Sequence, residues 1–253
     1  MERYGSKTSE GMIGVLSGAI ARSTVYGLLA RAFLTEPTPS FLLGLSEPNT
    51  LRILAKVGGQ WMASLPDFDP GALADELATE YARLFVGPGY HLYPYESMHI
   101  AGNDAEWEGP DAHLYGKPAI AVSEVYRQAG IVPSPSFHGL PDHLGVELEY
   151  MSHLSSREAR CWEKEDAGGA TSALALQQNF LHRHLVPWVP RFARRVRRFG
   201  AHPFYCSMAS AASRFVQIDL RTVDELLSNQ QVRDEGPGEL NQVTTSTRAH
   251  RRH

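Results

Sequence analysis

Apolar side chains recur along most of this chain at helical spacing, whereas the two-residue alternation typical of β-strands is scarce. This periodicity is the strongest secondary-structure signal that a sequence carries. We therefore predict an all-α fold without strands and without internal repeats. The clearest example is one amphipathic stripe formed by Leu73, Leu77, Tyr81, Leu84 and Phe85.

Proline, glycine and capping residues divide the pattern into seven predicted helices. Pro37 and Pro39 are expected to end the first helix, and Pro187 and Pro190 indicate a kink or a join near the end of the sixth. Pro141 suits the first turn of a helix, where its missing N–H leaves no helix hydrogen bond unmade. The predicted helices cover residues 10–34, 49–65, 70–86, 118–129, 141–165, 171–199 and 203–228.

Two segments break the helical period. Residues 87–110 are rich in glycine, proline, aromatic and acidic residues, and connections of this length tend to be functional or mobile. The chain beyond Ser228 is polar and includes Gly236-Pro237-Gly238. We predict one helical-bundle domain with long loops over residues 1–228 and a disordered polar tail over 229–253.

The composition excludes several classes of protein. With 43% hydrophobic residues among 253, the chain has enough apolar material for a core. It lacks a continuous apolar run of about 18 residues and has no secretory signal pattern, so we expect no stable membrane insertion. Cys161 and Cys206 are too few for a disulfide framework. A cytoplasmic location fits best.

Charge is unevenly spread along a chain whose net charge is -4. Residues 167–201 contain six arginines and no acid, which is a poor nucleic-acid site in a slightly acidic chain. Either the acidic and basic segments form solvated surfaces that face each other, or the acidic segment attracts a basic partner. The acids between residues 84 and 116 are Glu96, Asp104, Glu106, Glu108 and Asp111, with no lysine or arginine among them.

Common catalytic motifs are missing. Gly87-Pro88-Gly89 lacks the Lys-Ser/Thr pair of a phosphate-binding loop, and there is no G-x-S-x-G or H-E-x-x-H motif. The best metal candidate is the helix that begins at Pro141, where His143/Glu147 and Glu149/His153 form i, i+4 pairs. The two histidines lie about 80° apart around that helix, so we favour pairs that stabilise the helix.

The start of the same helix carries Asp142 and His143. An aspartate is favourable there because it caps free N–H groups and interacts with the helix dipole. Capping gives no reason for the histidine, and we therefore expect His143 to serve function.

Three segments of the sequence stand in a characteristic order. Residues 80–95 read EYARLFVGPGYHLYPY and are followed by Glu96-Ser97, and residues 141–145 read PDHLG. The third segment runs from HLVPW at residues 184–188 through Arg191-Phe192 to HPFY at residues 202–205. Together they resemble the TorD/DmsD-type family of cytoplasmic redox-enzyme maturation chaperones, over about Val25 to Leu227.

The resemblance implies an all-helical, non-enzymatic protein without a metal or cofactor of its own. Its partner would be the catalytic subunit of a molybdenum-cofactor oxidoreductase, whose N-terminal leader, often a twin-arginine signal, it binds until cofactor insertion is complete. No nucleic acid is expected, and the protein would be a monomer or homodimer. The leader-binding residues that the resemblance implies are Tyr81, Leu84, Phe85, Pro94, Tyr95, Glu96, Gly116, Asp142 and His143.

The residues themselves support that interpretation in one respect. A twin-arginine leader presents two cations beside an apolar segment, so its receptor should combine an apolar groove with acidic groups. The stripe that ends at Phe85 leads into a loop with five acids and with aromatic side chains suited to binding: Tyr90, Tyr93, Tyr95 and Trp107.

Several of these residues would also suit purely structural roles. Leu84 and Phe85 could lie in the core, Tyr95 and Glu96 could anchor the loop, and Asp142 could be a plain helix cap. The alternative function is a metal-dependent helical enzyme that uses His143, Glu147, Glu149 and His153.

Overall fold

A computed structural model describes residues 2–59, 61–64, 67–86, 92–100, 116–131 and 137–234. Over these residues the chain is almost entirely helical and contains no β-strand; a single antiparallel bridge pairs Tyr95 with His143. The predicted all-α fold is confirmed.

The described residues form ten α-helices, one 3₁₀ turn and two π-helical segments. The 3₁₀ turn is Trp61–Ser64, and the π-helical segments are Ala82–Val86 and Leu181–Leu185. The α-helices are α1 (Glu2–Leu34), α2 (Pro39–Ser46), α3 (Pro48–Lys56), α4 (Pro70–Tyr81), α5 (Ser97–Ile100), α6 (Lys117–Gln128), α7 (Leu144–Glu163), α8 (Ala167–Phe180), α9 (Val189–Phe199) and α10 (Pro203–Asp234).

Proline and short polar side chains begin several of these helices. The Thr38 hydroxyl accepts a hydrogen bond from the Phe41 N–H at the start of α2, and the Asp69 carboxylate accepts one from the Gly71 N–H at the start of α4. Both helices carry proline in the first turn, where its fixed φ suits a helix. Local sequence therefore sets these boundaries.

Several boundaries differ from the prediction: α1 begins at Glu2, and the helix predicted over 171–199 is divided into α8, a π-helical segment and α9. Pro39 begins α2 instead of ending a helical region. The predicted helix over 49–65 stops at Lys56, because Gly58 takes a positive φ of 86° and the Gly59 N–H bonds back to the Leu54 carbonyl at 2.8 Å. Pro141 lies in a turn, and the helix expected there begins at Leu144.

The predicted disordered tail over 229–253 is wrong in its first part. Helix α10 continues to Asp234, so residues 229–234 are helical. The remainder, residues 235–253, lies outside the described residues.

Helix α7 forms the centre of the bundle. It packs against α1 and α8, and α10 closes the bundle beside α1, α8 and α9. Gly145 allows the closest approach, because a Cβ placed there would lie 2.5 Å from Leu34 Cγ and 3.1 Å from the Ala30 carbonyl oxygen. The beginning of α7 is therefore pressed against the end of α1, which fixes the position of the turn that precedes it.

Part of α1 is strongly apolar. Ile13–Leu34 has the length and mean hydropathy (1.4) of a membrane-crossing helix, although it is not an uninterrupted apolar run. Core helices pass the same test, and here Tyr26, Leu29 and Phe33 are buried in the bundle. The segment also contains buried Arg22, which is ion-paired with Glu158 on α7.

Candidate functional site

The segment 92–100 is bound to the turn that leads into α7. The Leu144 N–H donates to the Pro94 carbonyl at 2.8 Å, and the Glu96 N–H donates to the Asp142 carbonyl at 2.9 Å. These two bonds flank the bridge between Tyr95 and His143. The structure thus joins the second and first of the motifs noted in the sequence, and we call this contact the 95/143 junction.

Asp142 adds a side-chain hydrogen bond to the junction. Its side chain is fully buried, and Oδ2 accepts a hydrogen bond of 2.9 Å from the Ser97 N–H at the start of α5. Oδ1 has no hydrogen-bond partner in the described part of the chain. The expectation that Asp142 caps the long helix is therefore wrong; this carboxylate caps the short helix of the facing segment instead.

His143, not Asp142, is the N-cap of α7. Its Nδ1 accepts a hydrogen bond of 3.1 Å from the Gly145 N–H, so the ring proton lies on Nε2. Burial lowers the pKa of His143 to about 3, which keeps the ring neutral. Our prediction that capping gives no reason for His143 is wrong. Its imidazole Nδ1 accepts the capping hydrogen bond that an aspartate oxygen would otherwise accept.

The junction presents aromatic rings around His143. The Tyr95 ring meets the imidazole edge to face at 5.1 Å, and the Phe137 ring lies 5.3 Å from it. Tyr95 and Phe137 are both half-buried, as are Leu140 and Pro141 beside them. The accessible part of the site is therefore apolar, with polar edges from Tyr95 and the nearby backbone.

A buried polar cluster lies behind these rings. The Glu96 carboxylate is 3.0 Å from His184 Nδ1 in the second π-helical segment, and Trp188 Nε1 donates to Glu147 Oε2 at 3.1 Å. All four side chains are buried. Glu96 therefore ties the segment 92–100 to the bundle core, which is the anchoring role that its position in the loop also suggested.

Glu147 is neutral in this setting. Burial raises its pKa well above the usual range, and the charges of Glu96 and Asp142 raise it further. Glu147 Oε1 has no hydrogen-bond partner among the described residues. A neutral Glu147 adds no negative charge beside the carboxyl groups of Glu96 and Asp142.

Tyr81, Leu84 and Phe85 lie in the hydrophobic core. The Tyr81 hydroxyl donates to the Phe33 carbonyl at 3.0 Å, and Phe85 packs edge to face against Phe33 at 6.2 Å. Burial raises the pKa of Tyr81 to about 12. These side chains support the junction from within the bundle and do not form its accessible surface.

Pro94 belongs to the junction through its backbone, whereas Gly116 begins another helix. Pro94 is buried, and its carbonyl belongs to the junction. Gly116 is half-buried and is the N-cap of α6, with an extended backbone (φ -67°, ψ 179°). The predicted acidic and aromatic loop residues Tyr90, Asp104, Glu106, Trp107, Glu108 and Asp111 lie outside the described residues.

The alternative metal site is not assembled. His143 Nδ1 is used by the helix cap and Glu147 by Trp188, while Glu149 and His153 are exposed. Over the residues that the structure describes, no three acidic, histidine or cysteine side chains are grouped so as to hold a metal ion. His143 and Glu147 bond to different neighbours and not to a shared ion.

Phe137, His184 and Trp188 belong to the site, although the sequence predicts no site role for them. His184 and Trp188 stand in the third motif, so their signal was present, but only the fold shows that they lie under the segment 92–100. Phe137 belongs to a proline-rich loop without periodicity and gives no comparable signal. For His184 and Trp188, contacts between segments far apart in sequence account for the omission.

The chain matches a known protein family over the segments that build this site. The sequence model of a family described as nitrate reductase delta subunit matches residues 58–194, more than half of the chain. The matched range includes the 95/143 junction and both residues of the third motif that contact it, His184 and Trp188. The family resemblance suggested by the three motifs is confirmed.

Relatives and a solved structure are similar along most of the chain. "Chaperone protein TorD" of Vibrio cholerae serotype O1 (strain M66-2) is 28% identical over 189 residues, covering 74% of this chain and 80% of the relative. "Chaperone protein TorD" of Vibrio atlanticus (strain LGP32) is 26% identical over 211 residues, covering 78% and 92%. A crystal structure of a redox enzyme maturation protein from Archaeoglobus fulgidus has a TM-score of 0.47 and 20% identity, covering 78% of this chain and 93% of that one.

Proposed function

The chain belongs to the TorD/DmsD family of redox-enzyme maturation chaperones, and on that premise we propose that it is a cytoplasmic chaperone for a molybdenum-cofactor oxidoreductase. It binds the N-terminal leader and the cofactor-free form of the catalytic subunit. It holds that subunit, without catalytic turnover, until the cofactor is inserted. It acts as a monomer or homodimer.

The 95/143 junction carries this proposal. It joins two motifs that are 45 residues apart in sequence, through the Ser97–Asp142 bond, and it offers half-buried aromatic rings from Tyr95 and Phe137. Aromatic rings supply large contact areas at binding surfaces. An apolar stretch of a leader peptide is the kind of ligand that such a surface favours.

Buried carboxyl groups behind the aromatic rings favour a cationic ligand. Asp142 and Glu96 are buried carboxylates just behind the rings, and Asp142 Oδ1 lacks a hydrogen-bond partner among the described residues. Fields from buried charges are weakly screened by solvent. The arginines of a leader would therefore be attracted to the junction, while the apolar segment contacts Tyr95 and Phe137.

Capture of the natural partner tests the proposal. The full chain serves as bait in the cytoplasm of its own organism, and the captured proteins are identified by mass spectrometry. We expect a molybdoenzyme catalytic subunit, and we expect its recovery to fall when its leader is deleted. Recovery of that subunit regardless of the leader would contradict the leader-binding step, and recovery of no such subunit would contradict the chaperone function.

A paired substitution separates binding from folding. His143→Asn keeps a side-chain oxygen at the N-cap but removes the imidazole from the junction. His143→Ala removes both. If the ring contributes to the binding surface, both variants lose the partner while only His143→Ala loses stability. Full partner recovery with His143→Asn would limit His143 to its capping role.

A further inference from the structure

Helix α9 has a rigidly packed inner face. Its residues Val189, Phe192, Ala193 and Val196 are buried. The Phe192 ring lies 5.8 Å from Phe33 and 5.8 Å from Trp188. The backbone of α9 is therefore held in place against the bundle, and this sets where the side chains of its outer face begin.

The outer face carries three exposed arginines that have no acidic partner in the described part of the chain. Arg194, Arg197 and Arg198 are exposed and lie within one turn on the same side of the helix. Each salt bridge within the described residues involves other side chains. We call these three residues the α9 face.

Two carbonyls at the end of α9 are bonded by groups other than these arginines. Cations are favourable near a helix C-terminus because they interact with free carbonyls. Here the Phe199 carbonyl already accepts a hydrogen bond of 2.8 Å from Arg83, and the Val196 carbonyl accepts one of 2.7 Å from the Gly200 N–H. These two carbonyls therefore do not depend on Arg197 or Arg198.

The three arginines of the α9 face also repel one another. Like charges four residues apart, such as Arg194 and Arg198, destabilise a helix, and neither forms a salt bridge within the described residues. An anion bound across the face would remove this repulsion. The arrangement is thus suited to a partner that supplies two or more negative charges at helical spacing.

Polypeptide carboxylates fit the α9 face better than other anions. The exposed positions of α9 hold arginines instead of aromatic rings that stack on bases, which disfavours single-stranded nucleic acid. The apolar side of α9 is buried in the core and so is not free to enter a bilayer. Guanidinium groups bind carboxylates through paired hydrogen bonds.

We propose that the α9 face, Arg194, Arg197 and Arg198, is a docking surface for an acidic segment of a partner protein. The partner carries carboxylates about one helical turn apart. This interaction is separate from leader binding at the 95/143 junction, and it is expected to weaken as salt concentration rises.

A labelled peptide tests this proposal directly. The probe is an alanine-rich helical peptide with glutamates at i, i+3 and i+4, and its glutamine counterpart is the control. Binding to the full chain is measured by fluorescence anisotropy at low ionic strength. We expect the glutamate peptide to bind, and the triple variant R194Q/R197Q/R198Q to weaken binding about tenfold.

A matched variant controls for the loss of net charge. Arg31, Arg157 and Arg160 are exposed arginines on α1 and α7, and R31Q/R157Q/R160Q should leave the affinity unchanged within about twofold. Equal weakening by both triple variants, or equal binding of both peptides, would overturn the proposal. Tighter binding of single-stranded RNA or of phosphatidylglycerol vesicles than of the glutamate peptide would also overturn it.

Discussion

At the scale of single residues, Arg22 shows how the bundle tolerates charge in its interior. It forms an ion pair with Glu158 and lies 3.5 Å from Asp219, with Nη1 and Oδ1 as the nearest atoms. Tyr26 donates to Asp219 at 2.6 Å, and Gln177 donates to Glu158 at 2.8 Å. The network thus links α1, α7, α8 and α10 by polar contacts inside an otherwise apolar core.

We predict that Arg22→Met destabilises the protein by about 3–5 kcal/mol, because it leaves Glu158 and Asp219 buried without their cation. Urea denaturation followed by circular dichroism measures this change. Arg31→Met is the control, since Arg31 is exposed on the same helix. A loss under about 1 kcal/mol for Arg22→Met would contradict a structural role for the network.

Buried histidines predict acid sensitivity. Burial lowers the pKa of His143 to about 3 and that of His99 to about 4, whereas an unfolded histidine titrates near pH 6.5. The unfolded state therefore binds more protons as the pH falls below about 6.5, and the free energy of unfolding drops by up to about 1.4 kcal/mol per pH unit for each histidine.

Denaturation at pH 4.5 and pH 7 tests this linkage. Wild-type protein should be less stable at the lower pH, and His143→Asn should lose less stability over the same interval because one titrating group is gone. The control is His138→Asn, since His138 is exposed. An acid slope that is unchanged in His143→Asn would show that His143 does not remain neutral in the fold.

Glu147 has the opposite pH dependence. Burial raises the pKa of Glu147. The folded state therefore keeps a proton that the unfolded state releases above about pH 4.5. The contribution of Glu147 to the free energy of unfolding is thus present at low pH and declines as the pH rises. Glu147→Gln keeps an acceptor for Trp188 and removes the titration. We expect its stability relative to wild type to increase from pH 5 to pH 8, as measured by urea denaturation; a constant difference would contradict a protonated Glu147.

At the scale of elements, the contact between α1 and α7 places the turn that precedes α7. Gly145 lies where a Cβ would come within 2.5 Å of Leu34, whereas a Cβ added to Gly18 on α1 would have no atom within 4 Å. The two glycines therefore respond differently to the same substitution, although both lie in helices.

Gly145→Ala should destabilise the protein by about 1–3 kcal/mol because the added methyl group forces α7 away from α1. Gly18→Ala should stabilise it by up to about 1 kcal/mol through helix propensity. Thermal melts of the two variants compare these effects. Equal melting temperatures would contradict the close packing at Gly145.

Helical periodicity sufficed to predict the long helices but not all of their ends. The stripe from Leu73 to Phe85 was clear because each apolar residue faces the same core. Helix α2 was not predicted because its eight residues are too short a window for helical periodicity to be distinct, and the end of α3 depends on the positive φ at Gly58. Such boundaries are set by local backbone geometry and by packing, which hydrophobic spacing does not report.

The candidate site was predictable in composition but not in the role of each residue. The motifs singled out Asp142 and His143, yet the fold exchanges their expected roles: His143 caps α7 and Asp142 caps α5. That exchange depends on the segment 92–100 folding back onto residues 142–144. Sequence distance conceals Ser97 as the partner of Asp142, even where the motif is recognised.

At the scale of the whole molecule, a rigid helical bundle supports two surfaces of different chemistry. The 95/143 junction combines half-buried aromatic rings with buried carboxylates, and the α9 face offers exposed arginines. A chaperone that binds the leader at the first surface and an acidic part of a partner at the second would contact that partner at two places. Binding at both would strengthen the complex beyond either contact alone.

Leader binding at the 95/143 junction is tested most directly by titration calorimetry. A synthetic peptide with the leader of the captured catalytic subunit is titrated into wild-type protein, Tyr95→Ala and Leu43→Ala. The last variant removes an exposed apolar side chain from α2. We predict that Tyr95→Ala weakens binding at least about tenfold and that Leu43→Ala binds like wild type; equal affinity of all three proteins, with unchanged helical spectra, would contradict leader binding at the junction.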